Sequence, residues 1–310
     1  MKLQAREITN GLRFPEGPIV MPDGSVLVVE IEGARLMRCQ MDGRREVVAE
    51  LGGGPNGAAL GPNNCVYVCN NGGFNWVYEE DGYTRPHGKA DNYHNAGIQR
   101  VDLSTGAVQM LYTHCSTPGG DIPITGPNDI VFDGKGGFYF TDHGKSYDRL
   151  MDRGAVFYAA EDGSFIREVV FPMITPNGVG LSPDGNTLYA SETETGRVWA
   201  WPIVSPGQVQ KDPWPSPAGG RFIGGPTGYQ RFDSMAIEAN GNICVASLVA
   251  AGISVFSPEG GLLEFHEAPE PYCTNIAFGG PDMKTAYITL SGYGTLVAVD
   301  WPRPGLKLAY

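Results

Sequence analysis

Hydrophobic and polar positions recur along the whole chain in a pattern of fifteen residues that occurs six times, and the six copies align with one another without a gap. Each copy opens with Asn, Asp or Glu, continues into an apolar stretch, and reaches a turn sequence such as PDG (22–24) or SPDG (182–185). A β-forming residue stands twelve positions after each opening residue, and a polar residue stands fourteen positions after it. Each copy therefore predicts two short strands joined by a tight turn.

The opening residues, called openers below, are Glu16, Asn56, Asn128, Asn177, Asp233 and Asn275. The polar residues fourteen positions later, called exit residues below, are Glu30, Asn70, Asp142, Ser191, Ser247 and Thr289.

The spacing of the six copies predicts a β-propeller. Intervals of 40, 72, 49, 56 and 42 residues separate the openers. A period of about 40–50 residues built from short strands is typical of four-stranded propeller blades. We therefore predict an all-β chain that forms a single six-bladed β-propeller domain over residues 1–310. An array of β-sandwiches is the alternative, but a ring protects more strand edges.

Propeller geometry predicts that all six openers lie at one end of the central channel. The first strand of each blade lines the channel, and the second strand returns its exit residue to the same face. Asn and Asp also cap turns and strands through backbone hydrogen bonds, and this structural role stays open for Asn56 and Asn275. Two carboxylates that face carboxamides across a channel favour a hard cation such as Ca²⁺, Mg²⁺ or Mn²⁺.

The longest interval between openers predicts an insertion at residues 70–97, directly after a strand that ends on the openers' face. This segment contains several aromatic residues, among them Trp76 and Tyr93. A long loop with its own aromatic residues is often a lid or a binding loop. A hairpin packed on the rim and a contact between subunits are equally compatible with the sequence.

Composition and charge exclude several functional classes. The formal net charge is −12, and no basic stripe is present to meet phosphates, so nucleic acid is not an expected partner. The N-terminal sequence lacks the apolar core of a signal peptide, and no stretch approaches a membrane span. We expect a cytoplasmic protein without a membrane partner, and its oligomeric state is not predicted. No G-x-S-x-G motif is present, which argues against a serine hydrolase.

Five segments distributed over essentially the whole chain resemble the gluconolactonase family. That family includes regucalcin, the senescence marker protein, and is related in fold to diisopropylfluorophosphatase. The resemblance implies a six-bladed propeller with one divalent metal ion at the channel mouth. The segments are FPEGP (14–18), GPND (126–129), TPNGVGLSPDGNTLYASET (175–193), FDSMAIEANGNICVAS (232–247) and TNIAFGGPDMKTAYIT (274–289).

The resemblance also implies the metal ligands and the metal. In the family, the Glu of EGP, the Asn of PNG and the Asp that opens the fifth blade bind the metal, which here are Glu16, Asn177 and Asp233. The Asn of PND falls on Asn128, which resembles a further ligand or a substrate-facing group. Ca²⁺ is the expected ion, with Zn²⁺, Mn²⁺, Mg²⁺ and Fe²⁺ as alternatives.

The expected chemistry is the hydrolysis of a lactone by a metal-activated water. By resemblance, Asp233 is the first candidate for the base that deprotonates this water. His143 and Asp142 are the second candidates, because they lie where a strand returns to the metal face. The predicted substrate contacts are Asn70, Trp76, Tyr93 and Asp142.

Two departures from the family pattern leave the substrate open. The fifth-blade motif reads Asp233-Ser234 instead of DG, and TDHG (141–144) stands where relatives often read TDP. The family's sugar-recognition residues have no match in residues 70–97. The expected function is a metal-dependent lactonase acting on a sugar lactone or another small lactone. The alternatives are a related metal-dependent hydrolase of non-sugar esters or phosphotriesters, and a non-catalytic calcium-binding propeller.

Overall fold

Six antiparallel sheets, arranged as the blades of a ring, form the protein in a computed structural model that describes all residues from 1 to 310. The predicted all-β, six-bladed propeller is confirmed. No helix long and apolar enough to cross a lipid bilayer occurs in the structure.

The strands follow one another around the ring in chain order. The chain starts with β1 (Ala5–Thr9), and the first blade contains β2 (Pro15–Val20), β3 (Val26–Glu30), β4 (Arg35–Cys39) and β5 (Arg45–Glu50). The second blade starts with β6 (Pro55–Gly61) and β7 (Cys65–Asn70), is interrupted by a hairpin of β8 (Phe74–Tyr78) and β9 (Thr84–Lys89), and ends with β10 (Gly97–Asp102) and β11 (Val108–Tyr112). A second hairpin, β12 (His114–Thr117) and β13 (Gly120–Pro123), leads to the third blade.

The remaining blades are more regular. The third blade contains β14 (Pro127–Phe132), β15 (Gly137–Asp142), β16 (Gly154–Ala160) and β17 (Ile166–Met173). The fourth contains β18 (Pro176–Leu181), β19 (Thr187–Glu192) and β20 (Arg197–Ser205), with the short strands β21 (Gln208–Val209) and β22 (Arg221–Gly224) both paired to β20. The fifth contains β23 (Phe232–Ile237), β24 (Ile243–Ser247), β25 (Gly252–Phe256) and β26 (Leu262–Glu267). The sixth contains β27 (Cys273–Gly279), β28 (Thr285–Leu290) and β29 (Thr295–Asp300).

The N-terminal strand closes the ring. Strand β1 pairs antiparallel with β29, with Ala5 opposite Val299, and so supplies the outermost strand of the sixth blade. The two ends of the chain therefore meet in one sheet, and the last blade gains the fourth strand that its own segment lacks.

Both faces of each sheet are buried, because each blade packs between two neighbours. In β3, Val26 and Val28 join a buried cluster with the sixth blade, whereas Leu27 and Val29 join a cluster with the second blade. This explains why the second strands read as continuous apolar runs instead of alternating apolar and polar residues.

The innermost strands β2, β6, β14, β18, β23 and β27 contact one another in a closed ring around the channel. Their backbones approach closely next to the openers. A Cβ atom on Gly57 would collide with the carbonyl oxygen of Asn128, and one on Gly178 would lie 2.7 Å from the amide nitrogen of Met235. Glycine directly after the opener therefore allows the close packing of neighbouring blades.

The extra length of the second interval is divided between two hairpins. The prediction placed the whole excess in residues 70–97, which contain β8 and β9, but β12 and β13 account for part of it. The strands of this second hairpin are only four residues long, which is too short for a clear alternation of apolar and polar residues. The fourth strand of a blade also ends on the openers' face, so both hairpins lie at that end of the ring.

Candidate active site

A cavity of about 280 Å³ opens at the end of the channel where the innermost strands begin. Its wall includes all four predicted metal ligands, Glu16, Asn128, Asn177 and Asp233. Each of them is the second residue of its innermost strand. Their common position in the repeat is therefore what brings together residues that lie far apart in the sequence.

Three carboxyl groups at this end of the channel lack a cationic partner. Burial raises the pKa of Glu16 to about 7, and burial together with the charge of Glu16 raises the pKa of Asp233 well above its ordinary value. Asp129, which follows an opener, is buried and accepts hydrogen bonds from the amides of Ile130 (3.0 Å) and Val179 (3.1 Å); burial raises its pKa to about 7. No ion pair of the structure includes any of the three carboxylates.

The openers Asn128 and Asn177 complete a set of oxygen donors. The Oδ1 atom of Asn128 is buried and accepts no hydrogen bond. The side chain of Asn177 is held by Thr193, whose Oγ1 accepts from Nδ2 at 3.0 Å, and by a long contact of 3.5 Å from the hydroxyl of Ser234. An unpaired buried acceptor costs about 1–3 kcal/mol. Two carboxylates and an unpaired amide oxygen are therefore a donor set that fits a hard divalent cation.

This donor set is not a cluster of acidic, histidine or cysteine ligands. The structure contains no group of three or more His, Cys, Asp or Glu side chains placed to hold a metal ion. Half of the predicted ligands are amides, so a metal ion held by this set would depend on mixed carboxylate and amide oxygens.

The opener Asn275 orients one of the carboxylates. Its Nδ2 donates to Oε2 of Glu16 at 2.8 Å, and its Oδ1 accepts the amide hydrogen of Ile276 at 2.8 Å. The amide of Gly17 also donates to Oε2 of Glu16 at 2.8 Å. Both donors therefore bind the same oxygen of Glu16 and fix the position of its carboxylate.

The exit residues Asn70 and Asp142, which were predicted to contact substrate, do not line the cavity. Oδ1 of Asn70 accepts from the amides of Gly54 (2.8 Å) and Gly72 (3.0 Å). The carboxylate of Asp142 accepts from the amides of Thr125 (2.8 Å) and Gly126 (2.7 Å). Both side chains thus accept hydrogen bonds from the backbone segment just before the first strand of their own blade. Without them, the amides of this segment would be buried and unpaired.

The aromatic residues predicted to contact substrate, Trp76 and Tyr93, do not line the cavity themselves but contact residues that do or that lie next to it. The ring of Trp76 packs on Phe14 and Phe74, with centroids 5.0 and 6.2 Å away, and both phenylalanines line the cavity. The hydroxyl of Tyr93 donates to the carbonyl oxygen of Thr125 at 2.7 Å. The predicted insertion nevertheless reaches the site, because Phe74 and other residues of the hairpin β8–β9 form part of the wall.

His143 lines the cavity directly after β15, where its amide donates to the carbonyl oxygen of Gly126 at 2.9 Å. Burial lowers the pKa of His143 to about 4, and the positive charge of Lys145 adds to this effect. The imidazole is therefore neutral at physiological pH. It can accept a proton, but it is a weaker base than an ordinary histidine.

Three polar residues of the wall, Asn71, Lys145 and Arg231, are absent from the site predicted from the repeat. Asn71 directly follows an exit residue, and Arg231 stands two positions before an opener. Lys145 is only 4% exposed, and burial lowers its pKa to about 7. All three residues lie within three positions of an opener or an exit residue. They could have been found in the sequence only by also comparing the residues on either side of each repeat position.

Comparison with known families gives a match over most of the chain, and comparison with curated proteins gives matches over 43% of it. The model of the SMP-30/gluconolactonase/LRE-like region matches residues 14–292. Lactonase drp35 of Staphylococcus saprophyticus is 33% identical over 133 residues, which is 43% of this chain and 39% of the relative. Lactonase drp35 of Staphylococcus aureus strain MW2 is 33% identical over 134 residues, with the same shares. The match thus spans well under half the length of these curated relatives.

Solved structures of similar shape cover nearly the whole chain. A gluconolactonase from Xanthomonas campestris has a TM-score of 0.73 at 20% identity, over 96% of this chain and 91% of that one. A calcium-binding regucalcin from Agrobacterium tumefaciens has a TM-score of 0.73 at 18% identity, over 99% of each chain. These similarities support the same overall fold.

Proposed function

The chain belongs to the SMP-30/gluconolactonase/LRE-like family, and we propose that it is a metal-dependent lactonase. In this proposal it hydrolyses a sugar lactone or another small lactone to the corresponding hydroxy acid. The drp35 relatives carry the name lactonase, and a gluconolactonase shares the fold.

The oxygen donors at the end of the channel carry the proposal. Glu16 and Asp233 provide two negative charges, and Asn128 and Asn177 provide neutral oxygens on the same cavity wall. We propose that these four residues hold one divalent cation, and that Ca²⁺ is the ion. A set made only of oxygen donors suits Ca²⁺, whereas Zn²⁺ and Fe²⁺ are more often bound through nitrogen or sulfur. Mg²⁺ and Mn²⁺ share the preference for oxygen and are the nearest alternatives.

When bound, such a cation supplies a Lewis acid that polarises an ester carbonyl and lowers the pKa of water. Asp233 is the proposed base. Its Oδ1 accepts only the amide of Ser234, at 3.1 Å, so the carboxylate keeps lone pairs that can accept a further hydrogen. A carboxylate held beside a metal-activated water can take its proton. It can then return this proton to the ring oxygen as the C–O bond of the lactone breaks.

The apolar part of the wall suits a ring-shaped substrate. Phe14, Phe74 and Tyr272 line the cavity, and the rings of Phe14 and Tyr272 lie 5.6 Å apart in an edge-to-face arrangement. These side chains exclude water from one face of a bound ring, while the polar groups of the channel meet its ester.

A lactone panel followed by the pH drop on hydrolysis tests the proposal. Protein stripped of metal with a chelator is assayed alone and after single additions of Ca²⁺, Mg²⁺, Mn²⁺ and Zn²⁺. We expect no turnover of any lactone by the stripped protein and recovery with Ca²⁺. Turnover that is independent of metal would overturn the metal-dependent mechanism. Calcium binding without turnover of any lactone, ester or phosphotriester would identify a non-catalytic propeller instead.

A further inference from the structure

Part of the cavity wall is basic, although the chain has a formal net charge of −12. Lys89, Lys145 and Arg231 all line the cavity. Arg231 pairs with the carboxylate of Glu194. No carboxylate oxygen lies within 4.0 Å of the ammonium nitrogen of either lysine. The cavity therefore contains two lysines without a partner of opposite charge.

The two lysines approach the same aromatic ring. The Nζ atoms of Lys89 and Lys145 lie 4.5 and 5.4 Å from the centroid of the Tyr93 ring. Lys145 also lies over Phe74, at 4.4 Å from its centroid. An aromatic face stabilises an ammonium group only partly. Two positive charges held at one ring repel each other unless an anion binds between them.

Lys145 makes few hydrogen bonds for a buried ammonium group. Its Nζ donates to Oδ1 of Asn71 and to the carbonyl oxygen of Gly73, both at the long distance of 3.4 Å. A lysine ammonium group has three hydrogens to donate. It therefore keeps capacity for a stronger acceptor, and its exposure of 4% restricts this acceptor to a group inside the cavity.

Two further donors of the wall have no partner at all. Nδ2 of Asn71 and Nε of Arg231 are buried and make no hydrogen bond. The amide orientation of Asn71 is fixed, because its Oδ1 accepts the amide hydrogen of Gly73 at 2.8 Å. An unpaired buried donor is unfavourable, so these atoms independently indicate an acceptor in the cavity.

We propose that this basic wall binds an anionic substituent of the substrate, either a carboxylate or a phosphate group, and that the preferred substrate is an anionic lactone. This inference rests on the proposed lactonase function and narrows its substrate class. Lys145 and Asn71 contact the anion, and Lys89 adds a second positive charge. The basic wall holds the anionic substituent, which leaves the ester group of the same molecule to face the four proposed metal ligands.

Kinetics with matched lactones test the inference. Glucono-1,5-lactone, which is neutral, is compared with its 6-phosphate, and glucono-1,4-lactone, which is neutral, is compared with glucaro-1,4-lactone, which carries a carboxylate. For the wild type, we expect kcat/KM to be at least about tenfold higher for one of the two anionic lactones than for its neutral counterpart. The anionic lactone that shows this preference identifies the substituent as phosphate or carboxylate.

Three variants connect this preference to the wall. Lys145→Met keeps the length of the side chain and removes its charge, and Asn71→Asp replaces the unpaired donor with an acceptor. Each is expected to reduce the ratio of anionic to neutral kcat/KM by about tenfold or more. Lys135→Met is the matched control: Lys135 is exposed in the turn between β14 and β15, at the opposite end of the blade. It is expected to keep the wild-type ratio.

Binding measured without turnover separates this inference from the proposed function. Calorimetric titration with glucarate and with 6-phosphogluconate, two open-chain acids, is expected to show about tenfold weaker binding of one of them to Lys145→Met and to Asn71→Asp. If neutral and anionic lactones are hydrolysed equally and both variants bind the acids like the wild type, the anion site is overturned and the lactonase function stands. If no lactone is hydrolysed but both variants lose affinity, the lactonase function fails and the anion site stands.

Discussion

Replacing Glu16 by glutamine is expected to stabilise the metal-free protein and to remove most of the stabilisation that a bound cation provides. Glu16 is 2% exposed, and burial raises its pKa to about 7. Because this folded-state pKa lies above the ordinary value of 4.5, ionised Glu16 destabilises the metal-free fold as the pH rises from 4.5 through 7. Glutamine has nearly the same shape and can still accept the hydrogen bonds from Gly17 and Asn275 through its amide oxygen.

The size of the effect follows from the pKa. One pKa unit corresponds to about 1.4 kcal/mol, so the charge on Glu16 costs about 3 kcal/mol above pH 7 when no cation offsets it. Glu16→Gln should raise the free energy of unfolding of the metal-free protein at pH 8 by up to this amount. For a chain of this length, that is a rise of about 4–5 °C in the unfolding midpoint. In the wild type, a cation at 100 times its Kd adds about 2.7 kcal/mol, and the variant should lose most of this gain.

Thermal unfolding at pH 8, in chelator and in excess Ca²⁺, measures both effects. Glu270→Gln is the matched control: Glu270 is buried away from the cavity, burial raises its pKa to about 7, and it accepts the amide of Gly292 at 2.8 Å. The control should raise the midpoint in chelator and keep the full response to Ca²⁺. A lower midpoint for metal-free Glu16→Gln, or a wild-type response of that variant to Ca²⁺, would refute the proposed role of Glu16.

Three further predictions concern the proposed base, the histidine and a buried ion pair. Asp233→Ala should lower kcat by at least about 10²–10⁴-fold, whereas Asn128→Ala should lower it less because water can replace a neutral ligand; equal residual activities would contradict these roles. His143→Ala should keep kcat per metal-loaded molecule within about tenfold of the wild-type value, because a group whose pKa is about 4 is a weak base. A larger loss of rate in single-turnover assays would identify the histidine as the base. Burial is the largest single effect on the pKa of Glu238 and raises it, but hydrogen bonds from Arg303, Trp301 and Asn242 together with the charge of Arg303 lower it overall. Arg303→Met should therefore cost about 2 kcal/mol at pH 7, a loss that shrinks in urea titrations as the pH falls below 4.5.

The fold could be predicted because each blade encodes the same local pattern. An opener, an apolar strand, a tight turn and a second apolar strand recur at blade spacing, and the structure places every opener on an innermost strand. The closure of the ring by β1 could not be predicted in the same way. Its register with β29 depends on residues at opposite ends of the chain, and no local pattern specifies that pairing.

The site could be predicted only in part, because periodicity indicates which face a residue reaches but not what its side chain meets there. The openers Glu16 and Asp233 face the cavity, whereas the exit residues Asn70 and Asp142 turn towards backbone amides. Those amides belong to loops that enter the blade, whose position depends on the assembled ring. The basic wall around Lys145 likewise forms only when the hairpin β8–β9 packs beside the loop that follows β15.

The location of the metal ion in crystals grown with Ca²⁺ tests the proposed site most directly. An anomalous difference map should contain one strong peak at the channel end, with oxygens of Glu16, Asn128, Asn177 and Asp233 at about 2.3–2.6 Å. The map of Asp233→Ala crystals should lack this peak or show it strongly weakened. A peak elsewhere in the protein would contradict the proposed metal site. So would a structure in which these four side chains lie more than about 6 Å from a shared centre, which is over twice a calcium–oxygen bond length.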